Sequence, residues 1–271
     1  MYDSLMRRGK LREAREAADK TQEQVAHAIG VDRTTVGKWE RGESTPTPGQ
    51  RGPYAAAINV TLSELHSFLS SLPEEDEGLP TPLKISLAVE QAATSTRSHI
   101  GWVVHGLLQT PDYAAAIARA VGTTATPEDY VRRNVEQRAH RQQRVRSGQV
   151  DLHVVQTEAS LRSQIGDPGV MATQLRHLAE MAAMATVTVQ VVPFARGQYE
   201  AQRVGTFSLH TMPWSATPTV DLSAYGGVRL IDAADEAAYF QDAFDHACRV
   251  AMSPRASIKF IDQLRTDWEA A

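Results

Sequence analysis

Arg33, Thr34 and Lys38 fall in one short string, Asp32-Arg-Thr-Thr-Val-Gly-Lys-Trp-Glu-Arg41, and their side chains suit the edges of nucleic-acid bases. An arginine bonds bidentately to guanine O6 and N7, and a threonine bonds a base edge or touches a thymine methyl. On a helix that begins at Arg33, Lys38 lies one turn further along the same face. Gln22 and Arg41 are the neighbouring groups suited to phosphate oxygens, Gln22 because the N-terminus of a helix favours anions. Other chemistries find less support. The nine histidines show no HxxxH or HExxH spacing, so no metal site is expected. Cys248 is the only cysteine, which excludes an internal disulfide and points to a reducing compartment. No glycine-rich phosphate loop or nucleophile elbow occurs, and Ser160 with Asp167 form a hydrolytic pair by composition alone. No catalytic residue and no cofactor is expected.

Short, well-capped helices must hold these side chains in place. In Thr21-Gln-Glu-Gln-Val-Ala-His-Ala-Ile-Gly30, Thr21 caps a helix and Gln24 returns the bond as a capping box. Val25, Ala26 and Ile29 share one apolar face, and Gly30 supplies the left-handed residue that ends the helix. Val31 plugs the turn, and Asp32 is expected to cap the next helix, Arg33–Arg41. In that helix Val36 and Trp39 point inward, and Gly42 and Pro46 stop it. Two short helices joined by a glycine turn are the helix-turn-helix unit. Its second helix enters the major groove and presents its first residues to base edges. Gly37 inside it costs ~1 kcal/mol relative to Ala, and is expected to allow a close approach to DNA. Leu62, Leu65, Phe68 and Leu69 make the apolar stripe of a fifth helix.

The run from Leu11 through Arg15 and then TQEQVAHAIGVDRTTVGKWERG resembles the XRE family, the fold of phage repressors and Cro, over about residues 5–70. The resemblance implies a five-helix domain that binds double-stranded operator DNA. It also implies a structural ion pair between Arg15 of the first helix and Glu40 at the end of the recognition helix. Where the first helix ends, the family usually has glycine and leucine, but Asp19 and Lys20 stand here. Asp tolerates the left-handed conformation better than most residues.

The chain of 271 residues, 42% hydrophobic and 22% charged, suits two soluble domains. The net charge of −4 argues against a protein that coats nucleic acid. Residues 1–70 carry 10 Lys/Arg against 9 Asp/Glu, so DNA binding must rest on where the charge stands rather than on its total. The opening MYDSLMRRGK leads into an amphipathic helix without a cleavage site, and no long apolar run occurs. A cytoplasmic protein with no membrane partner is expected. Residues 71–82, rich in proline and acids, read as a linker between a helix-turn-helix domain, 1–70, and a second domain, 83–271.

Patterning in the second domain predicts helices at Leu83–Thr94, Pro111–Val121, Pro127–Ser147, Pro168–Met184, Asp232–Val250 and Pro254–Trp268. Strands are expected at Val150–Gln156, Val187–Phe194, Val204–Met212 and Thr219–Tyr225. The expected fold is therefore an all-α N-terminal domain followed by an α+β domain with a small, mostly antiparallel sheet. Thr110 caps a helix with Pro111 at its first position. The helix Tyr130–Arg146 carries Arg132, Arg133, Arg138, Arg141, Arg144 and Arg146, as a solvated face or as a second DNA or acidic-partner surface.

Gly106-Leu-Leu-Gln-Thr-Pro-Asp-Tyr-Ala114, Arg144-Val-Arg146 and Val187-Thr-Val-Gln-Val-Val-Pro-Phe194 look like the C-terminal domain of WhiJ-type actinobacterial regulators, which are also regarded as antitoxin-like. That family usually reads VPGLLQT; here Val103-Val-His105 precedes Gly106. The resemblance implies a domain that senses a small-molecule effector or binds a small acidic protein. The expected function is a dimeric, repressor-like transcriptional regulator. The alternative is an antitoxin-like partner-binding protein whose DNA binding is autoregulatory. An enzyme with a DNA-binding appendage is a third reading, disfavoured by the missing catalytic constellation.

Overall fold

Caps and an apolar stripe shape the N-terminal helices of the computed structural model, which describes residues 2–69, 81–120, 126–213, 215–224 and 227–271. These helices are α1 (Tyr2–Ala17), α2 (Gln22–Ile29), α3 (Arg33–Arg41), α4 (Pro48–Ala57), α5 (Leu62–Leu69) and α6 (Thr81–Ala92). Thr21 Oγ1 accepts from the Gln24 amide at 3.1 Å, and Gln24 Oε1 accepts from the Thr21 amide at 2.8 Å. Gly30, at φ 71°, ends α2, and Gly42, at φ 76°, ends α3. Asp19 takes φ 54°, the left-handed conformation that glycine usually supplies at the end of such a first helix. Asp32 differs from expectation. It occupies the cap position of α3 in extended backbone, but its side chain makes no cap hydrogen bond.

Leu11, Val25, Ala26, Val36, Trp39, Tyr54, Ala55, Ile58 and Leu65 form one core. The Trp39 and Tyr54 rings meet at 5.1 Å, tilted by 52°. Phe68 and Leu69 pack against this core half-buried, while the side chain of Leu62 lies outside the described residues. Burying each large side chain fully contributes about 1.5–3 kcal/mol.

Further along come β1 (Ser95–Ile100), α7 (Pro111–Ala120), α8 (Glu128–Arg146), β2 (Asp151–Thr157), α9 (Glu158–Arg162), α10 (Pro168–Ala182), β3 (Val187–Val192), α11 (Glu200–Val204) and β4 (Phe207–Thr211). They are followed by β5 (Thr219–Ala224), β6 (Gly227–Ile231), α12 (Ala234–Val250) and α13 (Pro254–Glu269). One compact unit comprises Met1–Ala92 with Trp214–Ala237, the other Ala93–Pro213 with Ala238–Ala271. In the first unit the antiparallel β5–β6 hairpin packs on α5 and α6. The units thus divide the chain differently from 1–70 and 83–271, because this late hairpin returns to the early helices. The expected linker 71–82 lies outside the described residues except for its last two positions, where α6 has begun. The expected element ends at Val121 and Tyr225 lie outside them as well.

The sheet corrects the expectation of a mostly antiparallel one. Within the second unit the strands run β3-β2-β1-β4. β1 is parallel to β2, β2 is parallel to β3, and only β4 runs against β1, so the sheet is mixed. Helices α7 and α8 carry the chain from β1 to β2, and α9 and α10 carry it from β2 to β3, as parallel neighbours require. The strand that organises this, β1, is Ser-Thr-Arg-Ser-His-Ile, with no apolar alternation to announce it. One face of the sheet buries Leu152, Val154, Val187, Val189 and Val191 with Leu175 and Leu178 of α10 and Ile261 and Leu264 of α13. On the other face His153 and Phe207 meet Phe244 and Phe240 of α12 edge-on. The outer strand β3 gives its Val191 N–H to Ser257 Oγ and its Val191 carbonyl to Met252 N–H, which blunts that edge.

Candidate nucleic-acid interface

The recognition helix α3 is fixed from behind by a buried carboxylate. Glu40 receives Arg15 Nε at 2.6 Å, Arg15 Nη2 at 3.2 Å and Gln22 Nε2 at 2.9 Å. Arg15 Nη1 donates to the Lys20 carbonyl at 2.8 Å. Glu40 and Arg15 together therefore tie α1, the turn after it and α2 to the end of α3. The Arg15 and Glu40 side chains are only 9% and 4% exposed, so removing Arg15 would leave a buried carboxylate without its charge partner, and removing Glu40 would leave Arg15 with only the more exposed Glu16 carboxylate, 3.6 Å away. The hydrogen bond to Glu40 also raises the pKa of the Arg15 guanidinium.

Arg33, Thr34, Lys38 and Arg41 are exposed, and Gln22 is half-buried. Among the described residues Arg33 and Thr34 make no side-chain hydrogen bond or ion pair, so their full donor capacity faces outward. Arg41 is already engaged. Its Nε reaches Glu43 Oε1 at 2.6 Å and its Nη2 reaches Glu43 Oε2 at 3.1 Å. That pairing holds the Glu43 carboxyl below the usual carboxylate range. A phosphate would have to draw Arg41 away from Glu43, a partner that lies only two residues on in the sequence. Gly37 is buried under these groups. A Cβ there would lie 3.0 Å from Arg41 Nη1 and 3.7 Å from both polar atoms of the Gln22 amide. The observed consequence of this glycine is thus room for the Gln22 and Arg41 side chains to cross α3.

In the second unit the Gln109-Thr110 segment is clasped by amides that the sequence did not single out. Gln174 Oε1 accepts from the Thr110 N–H, and Gln174 Nε2 donates to the Leu108 carbonyl, both at 2.7 Å. Gln142 Nε2 donates to the Gln109 carbonyl at 2.6 Å, and Arg138 donates to the Gln109 side chain. A glutamine on the apolar face of α10 was the available signal for Gln174, which is fully buried. His105 caps the turn that follows it, accepting from the Leu107 N–H at 3.2 Å through Nδ1, with Nε2 against Ser98 Oγ at 3.2 Å. The arginines of α8 divide. Arg138 and Arg144 bond within the unit, Arg144 to the Ala93 carbonyl at 2.8 Å, while Arg132 and Arg133 pair with Asp129 on their own helix. Among the described residues no three His, Cys, Asp or Glu side chains converge to hold a metal, and no helix is long and apolar enough to cross a membrane.

Comparison with known families agrees with this geometry. Residues 11–65 match the family described as "Helix-turn-helix", which supports a DNA-binding transcription regulator of XRE type. Residues 84–263 match the family described as "Domain of unknown function (DUF5753)". No curated protein and no solved structure matches the chain.

Proposed function

The chain belongs to the DUF5753 family and carries a helix-turn-helix ahead of that domain, and from this premise we propose that it is a sequence-specific operator-binding repressor. The observation that carries the proposal is a recognition helix locked at its far end by Glu40 while the Arg33 and Thr34 side chains stand exposed at its start, unpaired among the described residues. In this reading Arg33, Thr34 and Lys38 meet base edges, Gln22 and Arg41 meet phosphates, and Arg15 with Glu40 positions the helix. Residues 1–70 read DNA, and residues 83–271 sense an effector rather than catalyse a reaction. The likeness of 83–265 to WhiJ-type regulators supports the sensing role, and a cytoplasmic location follows from DNA binding.

The protein acts as a dimer, because one recognition helix reads only a few base pairs. Its operator is an inverted repeat with half-site centres about 34 Å apart or a whole number of turns apart. Selection of bound sequences from a random duplex pool tests both parts. A single enriched inverted repeat supports the reading, and its loss with Arg33→Ala ties it to α3. Enrichment of no sequence, with binding that depends on salt alone, would defeat it. Insertion of five base pairs between half-sites should turn one of them by half a turn and abolish tight binding; unaltered affinity would defeat the dimer.

A further inference from the structure

At the carboxyl ends of β1, β2 and β3 the second unit opens a cleft of about 290 Å³. This is where parallel strands commonly receive ligands, since the segments that follow them splay apart there. Gly101 and Trp102 follow β1, Ala159 follows β2, and Pro193 and Phe194 follow β3. Trp102 is 74% exposed and Phe194 is 62% exposed, and these large apolar side chains stand on the same cleft. His99 and Tyr199, nearly inaccessible, form its inner wall. Thr157, whose hydroxyl donates to the Gly101 carbonyl at 2.6 Å, and two amides, Gln198 and Gln202, complete the polar lining, which includes no lysine, arginine, aspartate or glutamate. Gly197 and Gly205 also line it, and a Cβ on either would meet nothing within 4 Å, so the space beside them is open.

The inner wall has a defined polarity. His99 Nδ1 lies 2.8 Å from the Gly205 carbonyl, which only accepts, so Nδ1 carries the proton. Burial lowers the His99 pKa, which favours the neutral ring, in which Nε2 is the acceptor. The Tyr199 hydroxyl, 2.8 Å away, therefore donates to Nε2, and its oxygen retains lone pairs for a further donor.

We propose that this cleft binds a small, planar, uncharged aromatic molecule, held between Trp102 and Phe194 and giving an N–H or O–H hydrogen bond to Tyr199. Exposed aromatics supply stacking faces, the uncharged lining rejects ions, and the tyrosine oxygen selects a donor. The site goes beyond the DNA reading and stands on the second unit alone. Only its consequence for operator binding rests on the sensor role proposed above.

Indole is the probe, with indole-3-acetate and tryptamine as its charged counterparts. Saturation-transfer NMR on the full-length protein reports binding without involving DNA, so failure of the site and failure of the repressor reading are distinguishable. Indole should show transfer, and the two ions should bind roughly tenfold more weakly, because the cleft offers no partner for a charge. Ala159→Trp fills the cleft and should abolish the indole signal. Trp102→Ala, at an exposed position that leaves folding intact, should weaken indole roughly fivefold through loss of one aromatic contact. Absence of transfer from indole, or transfer undiminished in Trp102→Ala, overturns the proposal, as does equal binding of all three probes.

Discussion

The side chains of Arg33 and Thr34 on α3 are exposed and carry no hydrogen bond among the described residues, whereas Thr96, Ser98, His99 and His210 of the second unit are buried and bonded. Thr96 Oγ1 lies 3.0 Å from His210 Nδ1, Ser98 Oγ lies 2.8 Å from Ser208 Oγ, and His99 is bonded at both ring nitrogens. Polar groups do opposite work in the two places. In the proposed reading those on α3 keep hydrogen-bonding capacity in reserve for DNA, so losing one should change binding and leave folding alone. In the second unit they satisfy each other across strands, so losing one strands its neighbour without water and should change stability. Glu40 is the exception that joins the two patterns, since it is buried like the sheet residues but holds α3 in position.

That exception carries the largest expected effect. Glu40→Ala leaves Arg15 charged and buried and removes the partner of Gln22, and should cost about 3–5 kcal/mol of stability in the first unit. Urea unfolding of the full chain followed by circular dichroism measures it; a change below about 1 kcal/mol would show that the pair is solvated and that α3 is held by packing alone. Next comes Gln174→Leu, which strands the Thr110 N–H and the Leu108 carbonyl and should cost about 2–4 kcal/mol, in the lower part of the range of about 1–3 for each buried unsatisfied group. Hydrogen exchange at the Thr110 amide should rise with it. An unchanged midpoint and unchanged exchange would mean that water replaces the amide, and the comparison would lose its second half.

How much could be read from the sequence follows the same division. Asp19, Thr21, Gln24, Gly30, Glu40 and Gly42 are local punctuation, each set by its own neighbours or by a fixed register to α3, so the helix-turn-helix was legible. β1 was not, because its burial is satisfied by polar partners far along the chain, such as His210 and Ser208, and its Ser-Thr-Arg-Ser-His sequence resembles a surface loop. Without β1 the parallel order β3-β2-β1 was hidden, and alternating strands and helices were read as antiparallel. Of the candidate interface, the exposure of Arg33, Thr34 and Lys38 on α3 was legible from helical spacing. The engagement of Arg41 by Glu43 and of Gln22 by Glu40 was not, since exposed side chains choose among several nearby partners.

Arg33→Ala gives the complementary, intermediate effect. It should cost about 1–3 kcal/mol of operator binding and relax preference at one base position. Its urea midpoint should stay within error of the parent, because the Arg33 side chain makes no hydrogen bond or ion pair among the described residues. Equal weakening on every sequence would reassign Arg33 to a phosphate and move base reading to Thr34 and Lys38.

The smallest effect sharpens the idea of reserve most directly, because it predicts a gain. Arg41 and Glu43 are 58% and 51% exposed, and such pairs contribute little to stability, about 0–1 kcal/mol. Glu43→Gln should therefore leave unfolding unchanged. It should also release the Arg41 guanidinium and remove a negative charge from the face presented to the phosphates. Operator affinity should rise by roughly two- to fivefold at low salt, on the scale of that exposed pair. The gain should appear equally on specific and nonspecific duplexes, since a phosphate contact carries no sequence information. It should also shrink as salt rises, because the added attraction works through counterion release. Pairing Glu43→Gln with Arg41→Ala closes the cycle: if Arg41 is the released group, most of the gain disappears in the double variant. A gain that survives without Arg41 would assign the effect to general repulsion by Glu43. A loss of affinity would show that Glu43 orients Arg41 for the phosphate rather than withholding it.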